Sequence, residues 1–135
     1  MPGFLTDHVN NSVLDCFFGG RAIQPPPTLY VGLSTSRASK GGAVSEPRAG
    51  GYARVAVPND LAHFPPATFG AKANAGAIRF PDPIGAWGRI ASVFLADSAT
   101  GGRVLAMADL PESRAVEASG RPPTIAADAL FLMHA

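Results

Sequence analysis

The sequence predicts a mainly β fold: an antiparallel β-sandwich or jelly-roll-like domain preceded by one N-terminal α-helix. Of the 135 residues, 15 are Gly and 13 are Pro, and they interrupt almost every stretch that could form a long helix. An apolar fraction of 47% with a net charge of only +1 favours a packed core over disorder. Short apolar runs between such breakers are typical of strands joined by Gly/Pro turns.

The residues before position 20 carry a helical pattern. Apolar side chains at 9, 13 and 17 recur every four residues, and those at 5, 14 and 18 widen the stripe, which predicts a helix over 4–18. We expect Thr6 to cap this helix and Gly19-Gly20 to end it. Three consecutive prolines at 25–27 then predict a stiff, extended connector. The apolar stripe can pack on its own sheet or reach a neighbouring subunit.

These features predict a helix and Pro-rich arm over 1–28, followed by a β-sandwich domain over 29–135. We expect seven or eight short strands, at 29–35, 52–57, 77–80, 87–96, 103–108, 114–117 and 124–133. The best-defined hairpin spans 89–108, around an Asp- and Gly-containing turn at 97–102. Two long connections, 36–51 and 58–72, separate the first strands, and Phe64 and Phe69 are expected to pack back onto the core. Gly32, inside a strand, marks a bulge or a close approach.

Composition argues against several classes of function. The 11 basic residues form no run that could neutralise a row of phosphates, so we expect no nucleic-acid partner. No stretch of 18 apolar residues predicts a membrane span, and no basic region followed by an apolar run predicts a signal peptide. The one cysteine, Cys16, excludes an intrachain disulfide and a multi-thiolate metal site, and we expect it to be a small buried apolar residue.

Catalytic patterns are also missing from the sequence. The three histidines, His8, His63 and His134, lie in unrelated segments without metal-ligand spacing. The carboxylates lie mainly in or beside turns, so a small polysaccharide hydrolase would lack the carboxylate pair it needs. We therefore predict that the protein is not an enzyme, has no catalytic, cofactor-binding or metal-ligating residues, and uses no cofactor.

A series of short motifs in a fixed order carries a family resemblance. The motifs are residues 29–35, Glu46-Pro47, residues 50–54, residues 78–80, Trp87-Gly88 and residues 97–102. Following a helix, in this order, they resemble a family of small tailed-bacteriophage virion proteins, commonly labelled tail fibre proteins. The resemblance covers nearly the whole chain. It implies a non-enzymatic structural component of the virion, made in the host cytoplasm and assembled into the particle.

Two roles are compatible with that resemblance. The first is a capsid decoration or cement protein, bound in many symmetric copies to the head shell and stabilising it. The second is a tail-fibre or tail-tip protein that contacts the host surface. The sequence has no heptad seam and no internal repeat that would build a shaft, which favours the first role. The expected partners are other virion proteins, the major capsid protein first, and further copies of the same chain as a symmetric oligomer.

The candidate interface residues are apolar helix positions, prolines of the arm, and polar or aromatic residues near the first strands. They are Val9, Val13, Phe17, Phe18, Pro25, Pro26, Arg37, Tyr52 and Arg54. Arg54 alternates with Val55 and Val57, so it lies opposite the face that those valines bury. It can pair with a carboxylate across an interface, pair within the chain, or stay exposed. The Tyr52 hydroxyl can reach a partner while its ring packs, and Trp87 is expected to anchor the core rather than stack on a ligand.

Overall fold

Strands make up most of the regular secondary structure. The computed structural model describes residues 1–133, in which nine strands and one helix occur. In chain order they are β1 (Pro2–Leu5), α1 (Asp7–Phe17), β2 (Thr28–Ser34), β3 (Val55–Pro58), β4 (Ala71–Ala73), β5 (Ile78–Arg79), β6 (Gly88–Ala96), β7 (Val104–Val116), β8 (Thr124–Ile125) and β9 (Phe131–Met133). The predicted mainly β class with one N-terminal helix is confirmed.

Seven strands form one sheet in the order β3-β2-β6-β7-β1-β9-β4, and β5 pairs with β8 in a separate two-stranded ribbon. The five strands from β3 to β1 are antiparallel, β1 and β9 are parallel, and β4 is antiparallel to β9. The two β layers are therefore unequal, seven strands against two, whereas a jelly roll divides eight strands between two sheets.

The first residues of the chain form a strand, and the prediction that the helix begins at residue 4 was wrong. β1 lies between β7 and β9, and α1 begins only at Asp7. Phe4 and Leu5 pack against different core clusters on opposite faces of the sheet, which is the alternation of a strand. Pairing with β7, about a hundred residues away in the chain, overrides the local helical period.

Thr6 and the two glycines delimit α1 as predicted, although not by the predicted contacts. Thr6 occupies the N-cap position, but its hydroxyl donates to the Val104 carbonyl at 2.8 Å instead of capping the helix. The helix ends at Phe17, and Gly20 follows with a φ of +69°. Cys16 is a free, half-buried thiol and not the fully buried residue expected.

Three predicted strands in the second half differ from the structure. The expected strands 103–108 and 114–117 are one strand, β7, of 13 residues. Its register with β6 jumps from Ser92↔Asp109 to Ile90↔Arg114, so residues 110–113 bulge out. Pro111 lies in this bulge, where the N–H that proline lacks is not needed. The expected strand 124–133 is divided between the ribbon and the main sheet as β8 and β9, whereas the hairpin over 89–108 is confirmed.

Both faces of the main sheet are covered by apolar side chains. On one face, strand residues pack with the ribbon and its flanks in a cluster that includes Val31, Leu33, Phe80, Trp87, Ile90, Val93, Leu95 and Ile125. On the opposite face, a smaller cluster contains Phe94, Ala96 and Met107, against which Ala38 and Val44 of the loop after β2 pack. The long loop 36–51 therefore serves as a cover for the second face.

Of three phenylalanines, two are buried in the core and one is exposed. Gly32 lies directly over the Phe94 ring, which would collide with any Cβ at position 32, so the predicted close approach is confirmed. Phe64 is buried as predicted, but Phe69 is fully exposed, which contradicts the prediction for that residue. Phe69 lies at a tight turn closed by two backbone hydrogen bonds between Thr68 and Ala71, each 3.0 Å, with a φ of +51°. That turn carries the ring away from the core.

Candidate interaction surface

Helix α1 lies over the sheet without burying any of its side chains completely. Val9 and Val13 are half-buried and face a cavity of about 490 Å³ between α1, residues 21–26 and the sheet. The apolar residues of the sheet that line this cavity are Leu5, Leu29, Leu95, Leu105, Ala106 and Leu132. The apolar stripe of α1 therefore faces the sheet of its own chain, which is one of the two alternatives expected from the sequence. The packing between helix and sheet is incomplete, because the cavity separates them.

The C-terminal end of α1 presents a group of exposed apolar side chains. Phe17 is 77% exposed and Phe18 85% exposed, and Leu14 and Ile23 are each between two-fifths and one-half exposed. Leu14, Phe17 and Phe18 share one side of the helix because residues three and four apart are neighbours. We call Leu14, Phe17 and Phe18 the apolar tip. Asp15 and Arg21 lie at its edge, with a carboxylate–guanidinium distance of 3.5 Å.

The Pro-rich arm is fixed to the loop after β3. Asn59 donates its side-chain N–H to the Pro26 carbonyl at 2.8 Å and its backbone N–H to the Pro27 carbonyl at 3.0 Å. Pro25 is exposed and Pro26 is half-buried at the cavity beside α1. Asn59 was not singled out from the sequence, because a single asparagine beside a proline carries no signal of a contact 33 residues away.

Tyr52 and Arg54 meet around Glu46 under the second face of the sheet. Arg54 donates Nη2–H to Glu46 Oε1 at 2.6 Å and Nε–H to Oε2 at 3.0 Å, a bidentate ion pair, and Tyr52 donates its hydroxyl to Oε2 at 2.6 Å. The Arg54 side chain is only 4% exposed and that of Glu46 23%. We call Glu46, Tyr52 and Arg54 the Glu46 cluster.

The remaining bonds of the Arg54 guanidinium attach it to the β6–β7 turn. Its Nη1 donates to the carbonyls of Ser98 at 2.6 Å and Gly101 at 2.9 Å. The guanidinium carbon also lies 5.0 Å from the centre of the Phe94 ring, a cation–π contact. Of the three alternatives open for Arg54, the structure therefore shows the internal ion pair.

Tyr52 connects this cluster to the core on the other side. Its oxygen accepts the Leu33 N–H at 3.0 Å, and its ring meets Trp87 edge-on at a centroid distance of 5.4 Å. The Trp87 indole N–H donates to the Gly50 carbonyl at 2.7 Å. Trp87 is buried in the core, as expected from the sequence. Gly50 has a φ of +73°, and a Cβ there would lie 2.6 Å from the Gly85 oxygen, so only glycine fits.

The electrostatics of the Glu46 cluster favour its charged pair and a neutral phenol. Burial acts to raise the pKa of Glu46, but hydrogen bonds from Arg54 and Tyr52 and the charge of Arg54 outweigh it, so this pKa lies below its usual value. The hydrogen bond to Glu46 in turn raises the pKa of Arg54. Burial first, and the carboxylate beside it second, raise the pKa of the Tyr52 hydroxyl. The cluster is built to hold the loop and offers no free acid, base or nucleophile.

The candidate interface residues thus separate into distinct places. Val9, Val13, Pro25 and Pro26 line the α1 cavity, and Phe17 and Phe18 are exposed at the end of α1. Tyr52 and Arg54 belong to the Glu46 cluster instead. Arg37 is exposed on the loop after β2 and lines neither the α1 cavity nor the space beside the Glu46 cluster. The role of Glu46 was missed, although Glu46-Pro47 stood among the motifs, because pairing across a loop has no periodic signal.

The structure does not gather the histidines into a site. His8 Nδ1 lies 3.1 Å from Arg103 on one surface, His63 pairs with Asp60 at 2.7 Å in another loop, and His134 lies outside the described residues. Within residues 1–133, no group of three His, Cys, Asp or Glu side chains could hold a metal ion. In the same part of the chain, no helix has the length and apolarity to span a bilayer.

Comparison with known protein families decides where the chain belongs. Residues 5–132 match the model of the family described as Podophage GP4 fiber I protein gp80. The chain is a member of this family. No curated protein matches it significantly. The resemblance to the phage tail fibre family is confirmed, and the protein is a component of the phage particle. A non-enzymatic structural role is consistent with the family.

Proposed function

We propose that this protein is a compact attachment module of a podophage fibre, which joins the fibre to another virion protein or to the host surface. The family description supports a fibre in preference to a head decoration. Within residues 1–133 the regular structure is one short helix and strands of at most 13 residues, so these residues supply a joint and not a shaft. The described fold thus suits the base or the tip of a fibre.

The observation that carries this proposal is the presence of large apolar side chains exposed on different elements. The apolar tip is one such site, and the connection between β3 and β4, in which Leu61 and Phe69 are both exposed, is another. Exposed apolar groups of this size mark contact surfaces in soluble proteins. In a virion component they are covered by neighbouring subunits, and binding only the assembled state stabilises that state by mass action.

The Glu46 cluster supports this role indirectly. It fixes the loop 36–51, which carries Arg37, and the β6–β7 turn against the sheet, so this loop is rigid before it meets a partner. Rigid surfaces bind at a lower entropic cost than mobile ones. Val9, Val13, Pro25 and Pro26 would extend the contact made by the apolar tip, and Arg37 would contribute a charged group on the loop 36–51.

Decoration of the capsid is the second candidate, because a compact domain without a shaft also suits a protein that binds a shell in many copies. The copy number of this chain per purified virion distinguishes the two roles, measured by quantitative mass spectrometry against the major capsid protein. We expect a handful of copies, set by the symmetry of the tail. A ratio near one, or a simple fraction of it, would establish the decoration role, and absence from virions would contradict both.

A substitution in the second apolar site tests the contact itself. We expect Phe69→Ser to lower the number of copies in virions, because it removes a fully exposed aromatic contact without touching the core. Ala67→Ser, in the same exposed connection, is the matched control and should leave the copy number unchanged. Equal incorporation of the Phe69 variant and the control would remove this site from the proposed contact.

A further inference from the structure

We propose that the apolar tip is a self-association surface, on which a second copy of this chain packs about a two-fold axis. The inference rests on the proposed contact role of the N-terminal surface and names its partner. Three observations carry it: the incomplete burial of α1, the area of exposed apolar surface, and the charges at its edge.

Helix α1 makes few contacts within its own chain. It has 11 residues, fewer than the 12–15 at which isolated helices become even marginally stable. The Thr6 hydroxyl at its N-cap donates to β7 and not to the helix, none of the helix residues is fully buried, and the Asn10 side-chain oxygen is buried without a partner. Asn10, Asn11 and Ser12 at its centre are weak helix formers. Burial of its outer side against another subunit supplies the missing packing.

The apolar tip has the area that a dimer contact needs at its centre. A Phe side chain can bury about 150–250 Å². With Phe17 and Phe18 exposed at 77% and 85%, the two rings alone offer roughly 300 Å². Stable interfaces bury about 800 Å² on each partner, with an apolar centre and a polar rim. The tip is large enough to be that centre, and residues 15 and 19–25 around it are available as the rim.

The charges at the edge of the tip favour a second copy of this chain over a partner whose surface is mainly acidic or mainly basic. Asp15 and Arg21 are both more than half exposed, and their weak 3.5 Å pair makes the rim electrically neutral. In a two-fold contact the same surface of each copy faces the other, so that surface must be complementary to itself. A rim with one acidic and one basic residue meets this requirement. In such a contact, Asp15 of each copy would face Arg21 of the other.

Sedimentation velocity of the purified full chain, over about 1–100 µM, tests the contact directly. We expect a reversible dimer that Phe17→Ser/Phe18→Ser weakens about a hundredfold or more, because central aromatic anchors carry most of the binding energy. Both rings are exposed in the single chain, so circular dichroism should show an intact sheet. Ile84→Ser is the matched control, because it also removes a mostly exposed apolar side chain but lies outside the apolar tip, and it should dimerise normally. A wild-type chain that stays monomeric, or a control as impaired as the double variant, overturns the proposal.

Charge reversal tests the two-fold geometry even if the aromatic variant does not fold. Asp15→Arg alone and Arg21→Asp alone each place like charges across the axis, so each should dimerise about tenfold more weakly. Mixed in equal amounts, the two variants pair opposite charges at both positions and should recover the dimer as a heterodimer. Failure of the mixture to associate better than either variant overturns the geometry. Because these assays use the isolated protein, their failure is independent of the copy-number experiment on virions.

Discussion

At the scale of single residues, the Glu46 cluster concentrates more interactions than any other polar group described. The Glu46 carboxylate accepts three hydrogen bonds from Arg54 and Tyr52. The Arg54 guanidinium donates two more, to the carbonyls of Ser98 and Gly101. Removing one member of a nearly buried charge pair leaves the other without compensation, which is more costly than losing an exposed pair. The cluster therefore stabilises the loop 36–51 and the turn 97–102 together.

We expect Glu46→Gln to lower the free energy of unfolding at pH 7 by about 2–4 kcal/mol, because it leaves the Arg54 charge unpaired. The pKa of Glu46 is lower in the folded chain than in the unfolded chain, so its ionisation stabilises the fold above about pH 4.3. That contribution is lost as the pH falls through the folded pKa. Urea unfolding at pH 7 and at decreasing pH should therefore show the difference between wild type and variant shrinking below about pH 4.3.

Asp82→Asn is the matched control for this substitution. It removes the carboxylate of an Arg79–Asp82 pair whose side chains are both mostly exposed, and such pairs contribute little. Its effect should stay within about 0.5 kcal/mol at every pH. If Glu46→Gln behaves like this control, the cluster does not hold the loop.

Residue-level prediction from the sequence succeeded where it depended on alternation along a strand. The alternation of Arg54 with Val55 and Val57 correctly placed the guanidinium on the face that carries Phe94. Its partner Glu46 lies in an irregular loop, where no period relates one residue to another. Phe69 was misplaced for the same reason, because hydrophobicity alone does not reveal a turn with positive φ.

At the scale of elements, the sequence predicts what is local. The β6–β7 hairpin is confirmed because its strands are adjacent in the chain and its turn has a residue signature. β1 was read as the start of a helix, since its pairing partners lie about a hundred residues downstream. The same limit applies to α1: its apolar stripe shows which side is buried, but not how completely.

We expect α1 to be the least protected of the longer elements in amide hydrogen exchange. Its few contacts with β1 and β7 allow local opening while the sheet stays folded, whereas the central strands β2 and β6 open only on global unfolding. At low micromolar concentration, α1 amides should therefore exchange at least about tenfold faster than those of β6. If the apolar tip self-associates, protection of α1 should rise with protein concentration and that of β6 should not. Equal protection of α1 and β6 in the dilute protein would contradict this account of α1.

At the scale of the whole molecule, the sheet joins the two ends of the described chain. β1 pairs with β7 on one side and with β9 on the other, so residues 2–5 lie inside the sheet and hold β9 and β4 to the rest. The division into an arm over 1–28 and a domain over 29–135 remains a prediction, and β1 is the element that makes it testable. A truncation at residue 28 would remove α1 and β1 together, although the two elements have very different contacts.

Two variants separate these contributions. In the first, residues 7–18 are replaced by a Gly/Ser linker of equal length, which removes α1 and keeps β1. In the second, residues 1–28 are deleted. We expect the first variant to keep strand-type circular dichroism and a cooperative thermal transition, because α1 contributes no fully buried side chain. We expect the second to lose that transition, because deleting β1 leaves β7 and β9 as unpaired edges and detaches β4 with β9. A cooperative transition in the second variant near that of the full chain would show that residues 29–135 fold alone, and that β1 only extends a sheet already stable without it.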